Sequence, residues 1–307
     1  MSEFSEHYDV LSNEGTYLAM LRKILLDGDH KDDRTGVGTI SLFGPVLHYG
    51  IETTVIDGKT KYKIPVFTTK SLFFKGIVTE LLWFLSGNTN TNILRDQGNR
   101  IWEGNTSVEA LNKLGLPYDE GELGPGYGYQ WIHSGGTWGP NGTSEGGVNQ
   151  IKYVIDELRK NPNSRRAVLN AWSASDLDKM ALPPCHVMYV FNTDSENRLS
   201  CHLTLRSNDM FLGHPFNVVS ASLLLILICK CVNMVPKGVT ISIVDAHIYN
   251  NHVVQVNQQL ERTPLQQPYL YIDKEISEYE DMLTLTYTDF KLDKYKSWPA
   301  IKAPMAV

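Results

Sequence analysis

The longest apolar run of the chain, residues 218–228, constrains its fold more than any other segment. The run contains two serines and no charged residue, and it is shorter than the about 20 apolar residues that cross a bilayer. We therefore interpret it as a helix that is buried on every side. A chain of 307 residues, 42% of them hydrophobic, can surround such a helix with a core that needs no disulfide or metal.

The segments around this helix predict an α+β fold. Hydrophobic periodicity predicts helices at residues 15–27 and 150–160, and β-rich patterns predict strands at residues 39–43, 62–67, 240–244 and 283–287. Residues 133–147 are rich in Gly, Ser and Thr and predict a surface loop, with related motifs on both sides of it. We therefore expect a single domain over residues 1–307, built on a large mixed β-sheet packed with helices.

Charge and cysteine usage exclude several classes of protein. The net charge of −6 argues against a protein that coats nucleic acid, so no stable nucleic-acid partner is expected. The four cysteines follow no C-x-x-C framework, so we expect no metal site and a compartment where thiols stay reduced. The first residues, MSEFSEHYDVL, lack the pattern of a signal peptide. These features predict a cytoplasmic protein with no membrane association.

A predicted β-hairpin brings a thiol and a guanidinium together. Residues 186–192 and 199–207 read as strands on either side of the turn-like residues 193–198. If the turn is centred between Ser195 and Glu196, Cys185 lies opposite Arg206. Opposed residues of an antiparallel pair project to one face, about 5 Å apart at Cβ, whereas a slip of one residue would separate them.

Cys185 lies in the sequence Leu-Pro-Pro-Cys-His, where two prolines fix the backbone just before the thiol. A cation such as Arg206 nearby would favour the thiolate, which is the form that attacks carbon. The simpler interpretation is a buried structural cysteine, because a lone cysteine usually packs in a core. On these residues alone, the simpler interpretation is preferred.

Four arginines are candidate ligands of an anion, each beside Gly, Ser, Thr or a second Arg: Arg34, the tandem Arg165 and Arg166, and Arg206. The guanidinium fork matches phosphate oxygens in bidentate geometry, and the hydroxyl of Ser207 would add a donor. For any one of these arginines, a surface salt bridge is the simpler interpretation. Four together favour a site for an anion.

Three further positions carry polar side chains that suit chemistry or binding. Glu80 interrupts the apolar residues 78–85, where an unpaired carboxylate is costly, so it either pairs or has a raised pKa. Asn217 precedes the apolar helix at a natural N-cap position, although its amide could also read a uracil edge. His247 and Tyr249 would share one strand face, suited to a sugar hydroxyl or simply to solvent.

Taken together, these segments resemble the thymidylate synthase family, and the resemblance covers nearly the whole chain. The motifs that carry it are DRTGVGTISLFG (33–44), TELLWFLSGNTN (79–90), GELGPGYGYQW (121–131), NSRRAVLNAWSASDLDKMALPPCH (163–186), LRSNDMFLGHPFN (205–217), DAHIYNNH (245–252) and IKAPMAV (301–307). The combination of LPPCH with a downstream RSxDxxLGxPFN is highly specific.

The resemblance implies the chemistry of one-carbon transfer. Cys185 would add to carbon 6 of dUMP, and carbon 5 would then attack the methylene carbon of 5,10-methylenetetrahydrofolate. Glu80, with Tyr127 and ordered water, would move the protons, and His186 next to the nucleophile counts among the catalytic residues. The folate finally gives a hydride, so that dTMP and dihydrofolate leave. No metal takes part.

The resemblance also implies the binding residues. Asn217 would select the uracil edge, and His247 and Tyr249 would hold the ribose 3′-hydroxyl. Phosphate ligands would be Arg34, Arg206 and Ser207, joined by Arg165 and Arg166 from the second subunit of a homodimer. The folate site would be lined by Ile101, Trp102, Asp209, Gly213, Phe216 and the C-terminal Val307.

Four positions depart from the family's pattern and keep two alternatives open. They are Ser173 after Trp172, Leu205 before Arg206, Ala221 in place of an aromatic residue, and Ile132 in place of an arginine. A pyrimidine hydroxymethylase shares the early steps but captures the last intermediate with water, and such an enzyme would make 5-hydroxymethyl-dUMP here. A relative that binds nucleotide or RNA without catalysis is the other alternative, against which Cys185 counts.

Overall fold

The computed structural model describes residues 13–139 and 144–305. Its helices are α1 (Asn13–Asp27), α2 (Phe74–Leu85), α3 (Asn92–Asp96), α4 (Glu103–Thr106), α5 (Val108–Lys113), α6 (Gly128–His133), α7 (Gln150–Lys160), α8 (Gly213–Val232), α9 (Val253–Leu260) and α10 (Tyr279–Met282). Short 3-10 turns add Ala174–Lys179, Asn250–His252 and Tyr287–Asp289.

The strands complete the expected mixture. They are β1 (Asp29–Lys31), β2 (Thr39–Phe43), β3 (Val46–Gly50), β4 (Glu52–Ile56), β5 (Lys59–Lys63), β6 (Thr137–Trp138), β7 (Ser144–Glu145), β8 (Val168–Asn170), β9 (His186–Thr193), β10 (Arg198–Leu205), β11 (Asn208–Asp209), β12 (Val235–Ile243), β13 (Asp245–Tyr249), β14 (Tyr269–Ile272) and β15 (Phe290–Asp293). The predicted α+β class with helices packed on a mixed sheet is confirmed.

The central sheet has the strand order β3-β12-β10-β9-β8. Its β10 and β12 run parallel, and the other neighbours run antiparallel, so the sheet is mixed. Helix α8 packs on β10 and β12 from one face and is flanked by α2 and α7. Two four-stranded sheets, β1-β2-β13-β11 and β15-β14-β5-β4, and the small pair β6-β7 complete the strands of the described residues.

Helix α8 corrects the length predicted for the apolar segment. The helix is 20 residues long, and its length and composition alone would allow it to cross a membrane. However, 78% of its most apolar 18-residue stretch is buried inside the protein. The run 218–228 lies wholly inside it and is buried at every position. The helix is therefore the centre of the core, as predicted, because the sheet and its flanking helices cover it on several sides.

Two predicted strands are corrected and several elements are confirmed. Helix α7 and strand β2 have the predicted bounds. The strand predicted at 62–67 ends at Lys63, and the chain continues buried but without a strand partner. The strand predicted at 283–287 is wrong, because capping boxes led by Glu278 and Thr286 fold this region into helical turns.

The hairpin β9–β10 reaches the predicted pairing by an unexpected route. Leu199 lies opposite Thr193, so the turn is centred on Glu196 and the register is offset by one residue from the predicted register. A β-bulge between Thr204 and Leu205 then removes the shift, and Leu205 lies opposite His186. Beyond the strands, the Arg206 N–H donates to the Cys185 carbonyl over 3.1 Å. The opposition of Cys185 and Arg206 is confirmed, and it depends on the bulge.

Candidate active site

Cys185 is held by its backbone at the end of the hairpin. Its N–H donates to the Tyr127 Oη over 3.0 Å, and its carbonyl accepts the hydrogen bond from Arg206. The Arg206 guanidinium donates in turn to the Pro183 carbonyl (2.8 Å) and, through Nε, to the Pro184 carbonyl (2.9 Å). The carbonyls of the two prolines directly before Cys185 thus accept hydrogen bonds from the Arg206 guanidinium, which fixes the loop that carries the thiol.

Cys185 is set apart from the other three thiols by exposure. All four cysteines are free, and Cys185 is partly exposed, whereas Cys201, Cys229 and Cys231 are buried. Burial raises the pKa of Cys201 and of Cys229 far above the usual range, and it raises the pKa of Cys231 to about 12. Because a thiolate is the reactive form, the three buried thiols are unsuited to nucleophilic attack. Cys185 is therefore not buried, in contrast to the simpler interpretation of the sequence.

Tyr127 takes a strained backbone conformation at the start of α6. Its φ of 44° and ψ of −108° are rare for a residue with a side chain. Helix α6 approaches α2 so closely that a Cβ on Gly128 would lie 2.5 Å from the Phe84 carbonyl oxygen. The Tyr127 ring stacks on Phe84 at 5.1 Å, which directs its hydroxyl to Cys185. Strain concentrated beside a nucleophile is typical of a functional site.

Glu80 extends from α2 into the same cluster. The Trp102 indole N–H donates to Glu80 Oε1 over 2.8 Å, and the Trp102 ring meets Tyr127 edge-on at 5.0 Å. Removal from water raises the pKa of Glu80 to about 7, although the indole hydrogen bond works in the opposite direction. Both expected alternatives therefore apply, since Glu80 pairs with Trp102 and its pKa is raised, and a group of this pKa can both give and take a proton near neutral pH.

His186 connects the nucleophile to Asn217. The His186 Nε2 lies 2.9 Å from Asn217 Oδ1, and its Nδ1 lies 3.1 Å from the Tyr189 hydroxyl. Burial lowers the pKa of His186 to about 4, so the ring is neutral at physiological pH. Asn217 is therefore hydrogen-bonded to His186, the residue that directly follows Cys185.

The N-cap interpretation of Asn217 is wrong. Helix α8 begins at Gly213, four residues earlier, and Asn217 lies in its second turn. Pro215 is compatible with this start because the first turn of a helix needs no N–H donor. The amide of Asn217 is thus free to serve as a side chain of the site.

Asn208 and His214 lie behind Asn217 and were not predicted as site residues. Asn217 Nδ2 donates to Asn208 Oδ1 over 2.9 Å, and Asn208 Nδ2 lies 2.6 Å from His214 Nδ1. His214 Nε2 lies 2.6 Å from the Tyr49 hydroxyl. The sequence offered one signal for these two residues: Asn208 and His214 are polar residues just before and at the start of the most apolar helix of the chain.

The residues expected at the folate lie around the start of α8 and beside α2. Asp209 Oδ1 accepts from the N–H groups of Phe211 (2.8 Å) and Leu212 (3.1 Å), so it shapes the turn before Gly213. Ile101 and Phe216 are partly buried against the core. Val307 lies outside the described residues.

A buried lysine beside Asp209 was not predicted. Lys70 donates to the Phe211 carbonyl, and its ammonium lies over the Phe211 ring. Burial lowers the pKa of Lys70 to about 7, and the charge of Asp209 opposes this shift. The burial of Lys70 could not be predicted from the sequence, because a single lysine between Thr69 and Ser71 is typical of an exposed segment.

The residues expected at the ribose share one face of β13, as predicted. The rings of His247 and Tyr249 meet edge-on at 5.0 Å, and His247 Nδ1 lies 3.0 Å from Asp245 Oδ1. Burial raises the pKa of Tyr249 to about 12, while the charge of Arg34 lowers it and that of Cys185 adds to the rise. His247 and Tyr249 therefore contact each other on one face of β13.

The predicted anion ligands differ in where they lie. Arg34 is exposed on a loop that Asp33 organises, since its carboxylate accepts from the N–H groups of Thr35 (3.0 Å) and Gly38 (2.7 Å). Arg165 and Arg166 are exposed, and neither guanidinium makes a hydrogen bond or ion pair with residues 13–139 or 144–305. Within one chain, the tandem arginines are not brought to the site.

The four departures from the family's pattern lie in different surroundings. Leu205 and Ala221 are fully buried in the hydrophobic core. The Ser173 hydroxyl donates to Asp176 Oδ2 over 2.8 Å. Ile132 packs against the turn at Gly87, where an added Cβ would lie 3.0 Å from the Ile132 Cβ.

Cys185 is thus hydrogen-bonded to the strained Tyr127, the Glu80 carboxyl is linked to that tyrosine through Trp102, and the Asn217 amide is linked to the hairpin through His186. In the described residues, no three His, Cys, Asp or Glu side chains come together as a metal site requires. The sequence model of the thymidylate synthase family matches residues 15–307. The chain belongs to the thymidylate synthase family.

Individual relatives agree along nearly the full chain. The thymidylate synthase of Herpesvirus ateles is 41% identical over 97% of this chain and 99% of its own. The thymidylate synthase of Saccharomyces cerevisiae is 40% identical over 96% of this chain and 97% of its own. The bifunctional dihydrofolate reductase-thymidylate synthase of Paramecium tetraurelia is 42% identical over this whole chain, which spans 64% of that longer protein.

Proposed function

We propose that this chain is a single catalytic domain that methylates dUMP to dTMP, with 5,10-methylenetetrahydrofolate as donor of both the carbon and the hydride. The observation that carries the proposal is the contact chain from the thiol residue to the amide. Cys185 precedes His186, and His186 lies 2.9 Å from Asn217. A nucleophile and a group able to read a pyrimidine edge are thereby held on one rigid support.

The first step is addition of the Cys185 thiolate to carbon 6 of the pyrimidine. The sulfur–carbon bond forms as the electron pair of the C5=C6 bond moves toward carbon 5 and oxygen 4. The loop that presents the thiol is fixed by Tyr127 and Arg206, so little motion is needed to reach the ring. The resulting enolate gains from any donor that Asn217 offers to oxygen 4.

Asn217 has the capacity to read uracil. An amide has two N–H donors and two acceptor lone pairs. The contacts with His186 and Asn208 use one donor and one acceptor. One donor and one acceptor remain, which matches the O4 acceptor and the N3–H donor of a uracil edge.

Carbon 5 then attacks the methylene carbon of the folate and afterwards loses its proton. Glu80 suits this transfer because its pKa is about 7 and its carboxyl is oriented by Trp102. Loss of tetrahydrofolate leaves an exocyclic methylene on carbon 5. Hydride from the folate converts it to the methyl group, and bond cleavage at carbon 6 releases Cys185, dTMP and dihydrofolate.

Hydride rather than water is proposed for the last step. The relatives named thymidylate synthase support this choice. Trp102 and Tyr127 form an apolar wall beside Glu80, which favours a dry site. Ala221 lies one helical turn after Asn217 and is fully buried, and the absence of an aromatic ring there is the departure that would favour the alternative hydroxymethylase.

The phosphate is proposed to bind across a homodimer. Arg34, Arg206 and Ser207 would bind it from one subunit, and Arg165 and Arg166 from the other. The tandem guanidinium groups are exposed and have no hydrogen-bond or ion-pair partner among residues 13–139 and 144–305, which supports this assignment because such groups remain available for a partner's ligand. Four free cysteines support a cytoplasmic location, where thiols stay reduced.

Formation of a covalent complex tests the proposed reaction. The purified protein is incubated with 5-fluoro-dUMP and methylenetetrahydrofolate, and its intact mass is measured. We expect one nucleotide and one folate bound per modified chain, with the adduct mapped to Cys185. Cys201→Ser is the matched control and should still form the adduct, whereas Cys185→Ser should not. Absence of any adduct in the folded wild-type protein would contradict the proposal.

A further inference from the structure

Six side chains, five of them buried and Asn217 partly buried, form one continuous line of hydrogen bonds behind the site. The line runs through Tyr189, His186, Asn217, Asn208, His214 and Tyr49. Tyr49 and His214 lie on β3 and α8, far along the chain from the thiol. Asn208, His214 and Tyr49 do not themselves reach the thiol, and nothing in the proposed reaction uses them.

The hydrogen bonds of this line all point the same way. Asn217 Nδ2 donates to Asn208 Oδ1, so Asn208 Nδ2 must be the donor to His214 Nδ1. The proton of His214 is then on Nε2 and faces the Tyr49 oxygen. At the other end, Asn217 Oδ1 accepts from His186 Nε2–H, and His186 Nδ1 accepts from the Tyr189 hydroxyl.

One observation favours this direction over its reverse, and the protonation of the two histidines requires every link to share one direction. Asn208 Nδ2 also faces the Met210 sulfur at 3.6 Å, a weak acceptor that a reversed amide would meet with its oxygen. Burial lowers the pKa of His214 to about 3 and that of His186 to about 4, so each ring carries a single proton and can donate in one direction only. A turn of one amide would bring two donors or two acceptors together at both of its neighbours.

We propose that Asn208, His214 and Tyr49 are positioning residues that fix which way the Asn217 amide faces, and that this orientation sets the preference for uracil over cytosine. The inference rests on the proposed function of Asn217. A uracil edge presents an acceptor at position 4 and a donor at position 3, whereas a cytosine edge presents the reverse. The same amide turned by half a rotation therefore suits cytosine, so a side chain that could turn freely would discriminate poorly.

The test compares kcat/KM for dUMP and dCMP in variants of the line. Tyr49→Phe removes the acceptor at its end and Asn208→Leu removes its middle link. Each should lower the ratio of dUMP to dCMP activity by about tenfold, the effect expected for losing one buried link. Tyr17→Phe is the matched control, because its ring also lies 5.7 Å from the His214 ring but its hydroxyl bonds the Met210 carbonyl. Its ratio should stay at the wild-type value.

Asn208→Asp distinguishes loss of the Asn217 amide orientation from a general loosening of the packing around position 208. A carboxyl at position 208 still accepts from Asn217 Nδ2, so the uracil preference should be largely retained, unlike in Asn208→Leu. If Asn208→Leu fails to fold, Tyr49→Phe decides. The inference would be overturned if the ratio of dUMP to dCMP activity in Tyr49→Phe were unchanged, or if both activities fell equally. Either result is compatible with a wild-type protein that is active on dUMP, so the proposed function would stand. A wild-type protein with no activity on dUMP would instead refute the proposed function.

Discussion

The pH dependence of stability provides a sharp test of the environment assigned to Glu80. In the folded protein its pKa is raised from 4.5 to about 7 because the carboxyl is removed from water. Between these two values the folded state holds a proton that the unfolded chain has released. The free energy of unfolding therefore falls as the pH rises through this window. Above about 7 both states are ionised, and the loss is complete.

The magnitude follows from the size of the shift. At about 1.4 kcal/mol per pKa unit, the full effect is about 3 kcal/mol, most of it between about pH 5 and pH 8. Glu80 is partly exposed, so solvent screening reduces this, and we expect about 1.5–2.5 kcal/mol. Glu80→Gln keeps an oxygen that accepts from Trp102 but cannot ionise. The free energy of unfolding of Glu80→Gln minus that of the wild type should therefore rise by about 1.5–2.5 kcal/mol as the pH increases from about 5 to about 8.

Urea unfolding at a fixed protein concentration, repeated from about pH 5 to about pH 8, gives the difference between the two proteins at each pH. Other titrating groups cancel in this difference. Glu261→Gln, which removes an exposed carboxyl at the end of α9, serves as the background. A difference between wild type and Glu80→Gln that varies by less than about 0.5 kcal/mol over the range would refute the raised pKa.

Three further predictions concern the nucleophile, the base and the second subunit. Cys185→Ser should abolish turnover yet bind dUMP in calorimetry, since a hydroxyl is a far weaker nucleophile, and retention of about a tenth of the activity would rule out the assignment. Asn217→Asp should lower activity on dUMP and raise it relatively on dCMP, and an unchanged preference would mean that this side chain does not read the base. Mixing inactive Cys185→Ser with inactive Arg165→Ala/Arg166→Ala should restore some activity through hybrid dimers, and no rescue after demonstrated subunit exchange would contradict the shared phosphate site.

The sequence predicted those parts of the site that depend on local pattern. The alternation around residues 193–198 was sufficient to place the hairpin, and the single acid in an apolar stretch was sufficient to predict that Glu80 either pairs or has a raised pKa. The opposition of Cys185 and Arg206 was predicted with the wrong turn centre. A one-residue bulge between Thr204 and Leu205 corrects the register, and such bulges have no reliable local signal when no glycine marks them.

Features that depend on tertiary contacts were missed or misread. Asn217 looked like an N-cap because an apolar run follows it, but α8 starts four residues earlier at Gly213. The positive φ of Tyr127 occurs where α6 closely approaches α2, and no property of a tyrosine in the sequence predicts it. The link from Asn208 to Tyr49 joins residues 159 positions apart through His214, and only the packing of α8 between β11 and β3 brings them together.

The most direct test of the central claim is identification of both products of one reaction. The wild-type protein is incubated with dUMP and 5,10-methylenetetrahydrofolate, dihydrofolate is followed by its absorbance, and the nucleotide is identified by mass. We predict dTMP and dihydrofolate in equal amounts, because hydride from the folate completes the methyl group. Formation of 5-hydroxymethyl-dUMP, with the folate left at the tetrahydro level, would contradict the account and would make Ala221→Tyr the first variant to examine for a return to dTMP.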